Sequence, residues 1–187
     1  MSAERGRETR QRLMDAAVAL IGEAGWGGVT TRAVAGRAGV NPGLLHYHFA
    51  SVGDLLEAAS ADFTRRVLDD LVRRLGEQPD VSRGVEWLLG ELGRYPGTDP
   101  VSLVVAETFL AAGRSPGLRE RLAAQLGEFR AGVAAWLRGH GHGADADAAA
   151  TLLAAVADGL VLHRALDPEI DLAALAGPLR AMLGVPR

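Results

Sequence analysis

The sequence predicts an all-α fold, and three observations carry that prediction. Apolar residues recur at helical spacing along nearly the whole chain, Gly and Pro punctuate the pattern between segments of helix length, and no strand-like alternation bounded by hairpin turns interrupts it. The first helix runs from Thr9 to Ala24, with Leu13, Ala16, Ala17, Leu20, Ile21 and Ala24 on its apolar side, and Gly25 ends it. Thr30 caps a short second helix whose inner face is Val34, Ala35 and Ala38, and Gly39 supplies the left-handed residue at its end. Asn41 is a good cap, and Pro42 has the fixed φ and missing N–H that suit the first position of a third helix. Two short helices about a tight Gly-containing turn make a helix-turn-helix over 30–49.

Ser51 caps a long fourth helix, Val52 to Gly76, with Leu55, Leu56, Ala59, Phe63, Val67, Leu71 and Leu75 in one stripe. Further helices are expected at Val81 to Tyr95, Pro100 to Ala112, Pro116 to Arg138, Ala146 to Leu166 and Leu172 to Leu183. Gly177-Pro178 should kink or interrupt the last of them. The fourth helix then joins an N-terminal three-helix domain, residues 7–67, to a C-terminal helical domain, residues 68–187.

Composition narrows the function. The 187 residues are 48% hydrophobic and 23% charged, a globular balance, and no run of about 18 apolar residues free of charge exists to span a membrane. The N-terminus has charges but no apolar segment free of acidic residues behind them and does not read as a secretory signal, and the absence of Cys removes disulfides, thiol nucleophiles and thiolate metal sites. A cytoplasmic address is expected. The net charge of −3 is unevenly spread: residues 1–50 carry six Arg against four acids, a balance of +2, and residues 51–187 carry fourteen Arg against nineteen acids, a balance of −5.

The stretch GVNPGLLHYHF, Gly39 to Phe49, places His46, Tyr47 and His48 together. Two residues apart, the histidines stand about 200° around a helix and do not share a metal, which needs spacings of three or four. Catalysis needs a nucleophile or carboxylate beside the base, and only Ser51 and Asp54 on the next element offer one. The second helix of a helix-turn-helix enters the DNA major groove with its first residues at base edges and later polar side chains at phosphates. Leu45 and Phe49 then face the core, and Leu44, His46, Tyr47 and His48 spread over the outer surface. Gly43 has no side chain to hold the helix off DNA, and Leu44 offers apolar contact to a thymine methyl. No catalytic residue is assigned.

Residues Arg10 to Phe63, and above all TTRAVAGRAGVNPGLLHYHF, resemble the DNA-binding domain of the TetR family of bacterial transcriptional regulators. The resemblance implies a homodimeric regulator, a repressor that releases a palindromic double-stranded operator when a small molecule binds its C-terminal domain. By it Thr31 touches a phosphate and Arg32 a base or phosphate, so the expected DNA contacts are Thr31, Arg32, Asn41, Pro42, Gly43, Leu44, His46, Tyr47 and His48. The chain departs from the family at His46, where an aromatic is frequent, and at Gly53, where a phosphate-binding Lys often opens the fourth helix.

The resemblance also implies a ligand cavity and a dimer of last-two-helix pairs. The residues expected at the effector are Phe63, Trp87, Leu103, Glu107, Phe109, Phe129 and His163, with core packing as the alternative for the apolar ones and a partly exposed helix face for Glu107. A rival reading, a helical metal-dependent enzyme, would need His140, His142, Asp145 and Asp147 to converge, but the segment RGHGHGADAD falls at a helix connection where Asp145 is expected to cap. A protein-interaction module built on the Ala-rich helices is the second alternative. No metal, cofactor or membrane partner is expected.

Overall fold

The computed structural model describes residues 2–143 and 145–185. Among these the secondary structure is all helical: α1 Ser2–Ala24, α2 Thr31–Ala38, α3 Pro42–His48, α4 Val52–Gly76, α5 Val81–Gly93, α6 Pro100–Ala112, α7 Pro116–Gly139, α8 Ala146–Arg164 and α9 Ala176–Met182. One-turn 3-10 helices precede α2, at Trp26–Gly28, and α9, at Ala173–Leu175.

Side-chain caps set most of the helix starts. Thr30 Oγ1 accepts from Ala33 N at 3.2 Å, Asn41 Oδ1 from Gly43 N at 2.9 Å and Ser51 Oγ from Asp54 N at 3.0 Å. Asp80 and Asp99 do the same for α5 and α6, at 2.8 and 3.0 Å. Each satisfies an N–H that the first turn leaves without a partner. Gly39, at φ 64° and ψ 39°, ends α2 in the left-handed region that a side chain disfavours.

Helices α5 and α8 stop at Gly93 and Arg164, short of the expected Tyr95 and Leu166, and three other features differ from expectation. The first helix begins at Ser2 rather than Thr9, with Glu4 in its first turn to favour the positive end of the helix dipole. Asp145 makes no side-chain cap bond; its φ of −108° and ψ of 11° are not the extended geometry that aims a capping oxygen at the first turn. The last segment breaks at the 3-10 turn before Ala176, not at Gly177-Pro178, and Pro178 lies in the first turn of α9, where its missing N–H costs no helical bond.

The chain forms two compact units. The first comprises Met1–Arg66 with Asp99–Leu122, and the second Val67–Thr98 with Ala123–Arg187. In the first, Leu13, Ala17, Ile21, Val34, Leu45, Leu55, Leu56, Ala59 and Val104 make one core, so α6 packs with the helix-turn-helix. In the second, Leu75, Val85, Leu89, Val133, Leu137, Ala150, Leu153 and Leu179 pack together. Arg74 makes two hydrogen bonds to the Glu91 carboxylate, at 2.8 and 2.7 Å, and lies 5.3 Å over the Trp87 ring. Arg164 closes the end of α5 by donating to Leu92 O and Tyr95 O at 2.7 and 2.9 Å. By length and composition α8 is apolar enough to cross a membrane, with mean hydropathy 1.4, although it carries Asp147 and Asp158.

Candidate nucleic-acid interface

The outer face of α3 is shaped by what its inner face buries. Leu45 is fully buried and Phe49 nearly so, four residues apart, and they pin the helix to the core that holds Val34 and Ala38. Everything else on α3 is thereby turned outward. Asn41, Pro42, Gly43, Leu44, His46 and Tyr47 are exposed, His48 is half-buried, and Tyr47 shows 80% of its surface. Its ring and hydroxyl are therefore open to a partner, the hydroxyl as donor or acceptor. The Tyr47 and His48 rings meet edge-on at 5.0 Å, which fixes one against the other. The Asn41 oxygen is committed to its cap bond, so its side-chain N–H groups are what it presents outward. Thr31 is half-buried at the first position of α2, and Arg32 beside it is exposed.

The two ends of α3 are held from behind by two arginines of α1 that local sequence patterns do not reveal. The Arg12 guanidinium donates to Ala38 O and to Gly39 O, the latter at 3.2 Å, which satisfies carbonyls at the end of α2 and places positive charge at the negative end of its dipole. Arg10 lies 4.9 Å over the Phe49 ring. Both act on elements far along the chain, so spacing within α1 carries no sign of them. Arg37 pairs with Glu23 at 2.6 Å and ties α2 to α1; the Arg37 guanidinium holds the Glu23 carboxyl below its usual range.

The residues expected at an effector are divided between the units. Phe63, Leu103, Glu107 and Phe109 belong to the first, and Trp87, Phe129 and His163 to the second. Phe63 packs against the core of the first unit, while Leu103 and Phe109 are 38% and 41% exposed. The Glu107 carboxylate accepts from Trp26 N at 3.1 Å and so closes the start of the 3-10 turn between α1 and α2. Trp87 and Phe129 pack against the second core, and His163 is exposed on α8.

The histidines of the rival cluster are engaged separately. His140 Nδ1 donates to Trp136 O at 2.8 Å and His142 Nε2 to Leu183 O at 2.7 Å, while Asp147 pairs with Arg138. Among the described residues no group of three or more His, Asp or Glu side chains converges as metal ligands would.

Comparison with known proteins fits this geometry. Residues 13–59 match the family described as bacterial regulatory proteins, tetR family, and residues 79–185 match the tetracyclin repressor-like C-terminal domain. An HTH-type transcriptional regulator of Mycobacterium tuberculosis is 30% identical over 128 residues, 68% of this chain; the match spans 65% of that protein's length. The crystal structure of a transcriptional regulator from Streptomyces coelicolor superposes with a TM-score of 0.75 at 26% identity, covering 94% of this chain and 98% of that one. The multidrug binding protein EbrR, solved with imidazole, is 30% identical with a TM-score of 0.68, covering 95% of this chain and 96% of its own. The first two are named as transcriptional regulators and the third as a multidrug binding protein. Matched over both its N-terminal and its C-terminal parts, the chain belongs to the tetR family of bacterial regulatory proteins.

Proposed function

We propose that the protein is a cytoplasmic, homodimeric repressor that binds a palindromic DNA operator through residues 7–67 and releases it when a small molecule binds residues 68–187. The observation that carries the DNA reading is the outer face of α3, with Tyr47 open to solvent and Leu45 and Phe49 anchored behind it. In the groove, the first residues of α3 from Asn41 to Leu44 meet base edges, and His46, Tyr47, His48, Thr31 and Arg32 serve bases or phosphates.

The second copy is supported by α8. Leu152 and Leu162 are 50% and 57% exposed, and with Ala155 and Gly159 they recur at alternating spacings of three and four, the pattern of a helix seam; Leu166, 90% exposed, follows just after α8 ends. Met182 of α9 is exposed as well. Two copies joined through α8 and α9 set two recognition helices about 34 Å apart, one turn of duplex. For the effector, the ligand complexes of EbrR, with imidazole and with malachite green, support a small-molecule site, with Trp87 and Phe129 as its aromatic candidates here. Effector binding shifts α4 and disfavours the operator-matching separation; a 100-fold release requires about 2.7 kcal/mol of differential binding.

The contact assignment is tested by Tyr47→Phe and Arg32→Ala, each measured for operator affinity and for sedimentation. Each is expected to weaken binding by about 1 kcal/mol per half-site with the dimer intact. Undiminished affinity in both variants contradicts the assignment.

A further inference from the structure

The positive charge of the N-terminal half is not all available to DNA, and following each arginine shows where it remains. Of the six arginines in residues 1–50, Arg37 is paired with Glu23, Arg12 is engaged with the Ala38 and Gly39 carbonyls, and Arg10 lies over Phe49. Arg5, Arg7 and Arg32 are exposed and have no protein partner among the described residues. At the start of α4, Gly53 offers no basic side chain. Two of the three available guanidinium groups therefore stand in the first two turns of α1, before the region that matches the tetR-family DNA-binding domain.

Their position is set by the face that α1 turns to α3. A Cβ placed on Gly6 would lie 4.0 Å from His48 Cε1, and Arg10, one turn later on the same face, covers Phe49. The N-terminal turns of α1 thus lie along the C-terminal end of the recognition helix. Arg5 and Arg7 are each about 100° around the helix from Gly6, so they flank His48 on either side. Glu4 and Glu8 stand in the same turns and lower the net charge there, so any attraction depends on individual guanidinium contacts rather than on a broad basic field.

Resting on the DNA-binding reading above, we infer that Arg5 and Arg7 form a second phosphate-backbone contact, gripping the operator strand beside the phosphate that His48 meets. They supply from α1 the charge that the start of α4 lacks. The contact carries no base information; it sets affinity and register.

The test is the salt dependence of operator binding by the full-length protein. Neutralising phosphates releases counterions, and the slope of log Kobs against log[salt] changes by about 0.9 per contact. In a dimer, Arg5→Gln with Arg7→Gln removes four contacts, so the slope should become shallower by about 3.6. Arg5→Lys with Arg7→Lys should keep it, and Arg130→Gln, which removes an unpaired arginine from the other unit, should leave it unchanged. Melting curves for each variant confirm that the fold is retained. A double Gln variant with the wild-type slope overturns the inference while leaving the DNA-binding reading in place. A wild-type protein that binds no duplex overturns both.

Discussion

Replacing Glu107 by Ala removes the carboxylate that accepts from Trp26 N at 3.1 Å and leaves the start of the 3-10 turn between α1 and α2 without an acceptor. Gly25, which precedes that turn at φ 71°, makes no side-chain cap of its own, so nothing local takes over. A hydrogen bond to a charged acceptor contributes about 1.5–3 kcal/mol when buried. Glu107 is only half-buried, and water can replace part of what is lost, which places the expected cost at about 1–1.5 kcal/mol. For a chain of this size that lowers Tm by about 2–6 °C. Glu107→Gln keeps a neutral acceptor at the same reach and should lose about half as much. Circular dichroism melts read the difference, and operator affinity should fall with Glu107→Ala because the turn sets α2 against α1. Equal losses in the Ala and Gln variants, or none in either, refute the reasoning that an acceptor at this position holds the turn.

Other substitutions follow from close packing, from the α8 face and from one displaced carboxyl. A Cβ at Gly84 would overlap the Trp136 ring at Cη2, so Gly84→Ala should cost about 1–3 kcal/mol in denaturant unfolding, whereas Gly127→Ala in α7, with open space around it, should stabilise by up to about 1 kcal/mol. Leu162→Glu should convert the dimer to monomers in sedimentation at micromolar concentration; an unchanged dimer removes the α8 seam. Asp158 stands one turn before Leu162, and desolvation pushes its carboxyl above the usual range. The folded chain therefore holds that proton more tightly than the unfolded one, and stability is lost as pH rises through the folded pKa. Asp158→Asn should raise Tm at pH 7, with the gain closing as pH falls below the ordinary carboxylate range.

The parts of this fold that are legible in the sequence are those fixed within a few residues. Thr30, Asn41 and Ser51 each bond an N–H two or three positions ahead, so their identities alone mark the starts of α2, α3 and α4. Leu45 and Phe49 declare the inner face of α3 by their spacing, and the outward residues follow by elimination. What was hidden depends on partners distant in the chain. The one-turn helix at Trp26–Gly28 is held by Glu107, 81 residues later, and neither element hints at the other. The apolar neighbours of Glu107 on α6 carry no sign that its carboxylate accepts from a backbone N–H so far back in the chain. Arg12 bonds carbonyls 26 and 27 residues away, which no helical periodicity encodes. Asp145 has a capping residue's chemistry without the backbone angles that make it one.

The most direct test of the account is selection of bound duplexes from a random pool by the purified protein. The account predicts enrichment of an inverted repeat whose half-site centres lie one helical turn, about 34 Å, apart or a multiple of it, matching two α3 helices related by a two-fold axis. Tyr47→Phe and Arg32→Ala should enrich it more weakly. Failure to enrich any sequence, using protein refolded to free it of bound small molecules, or enrichment of a single asymmetric site, would contradict it.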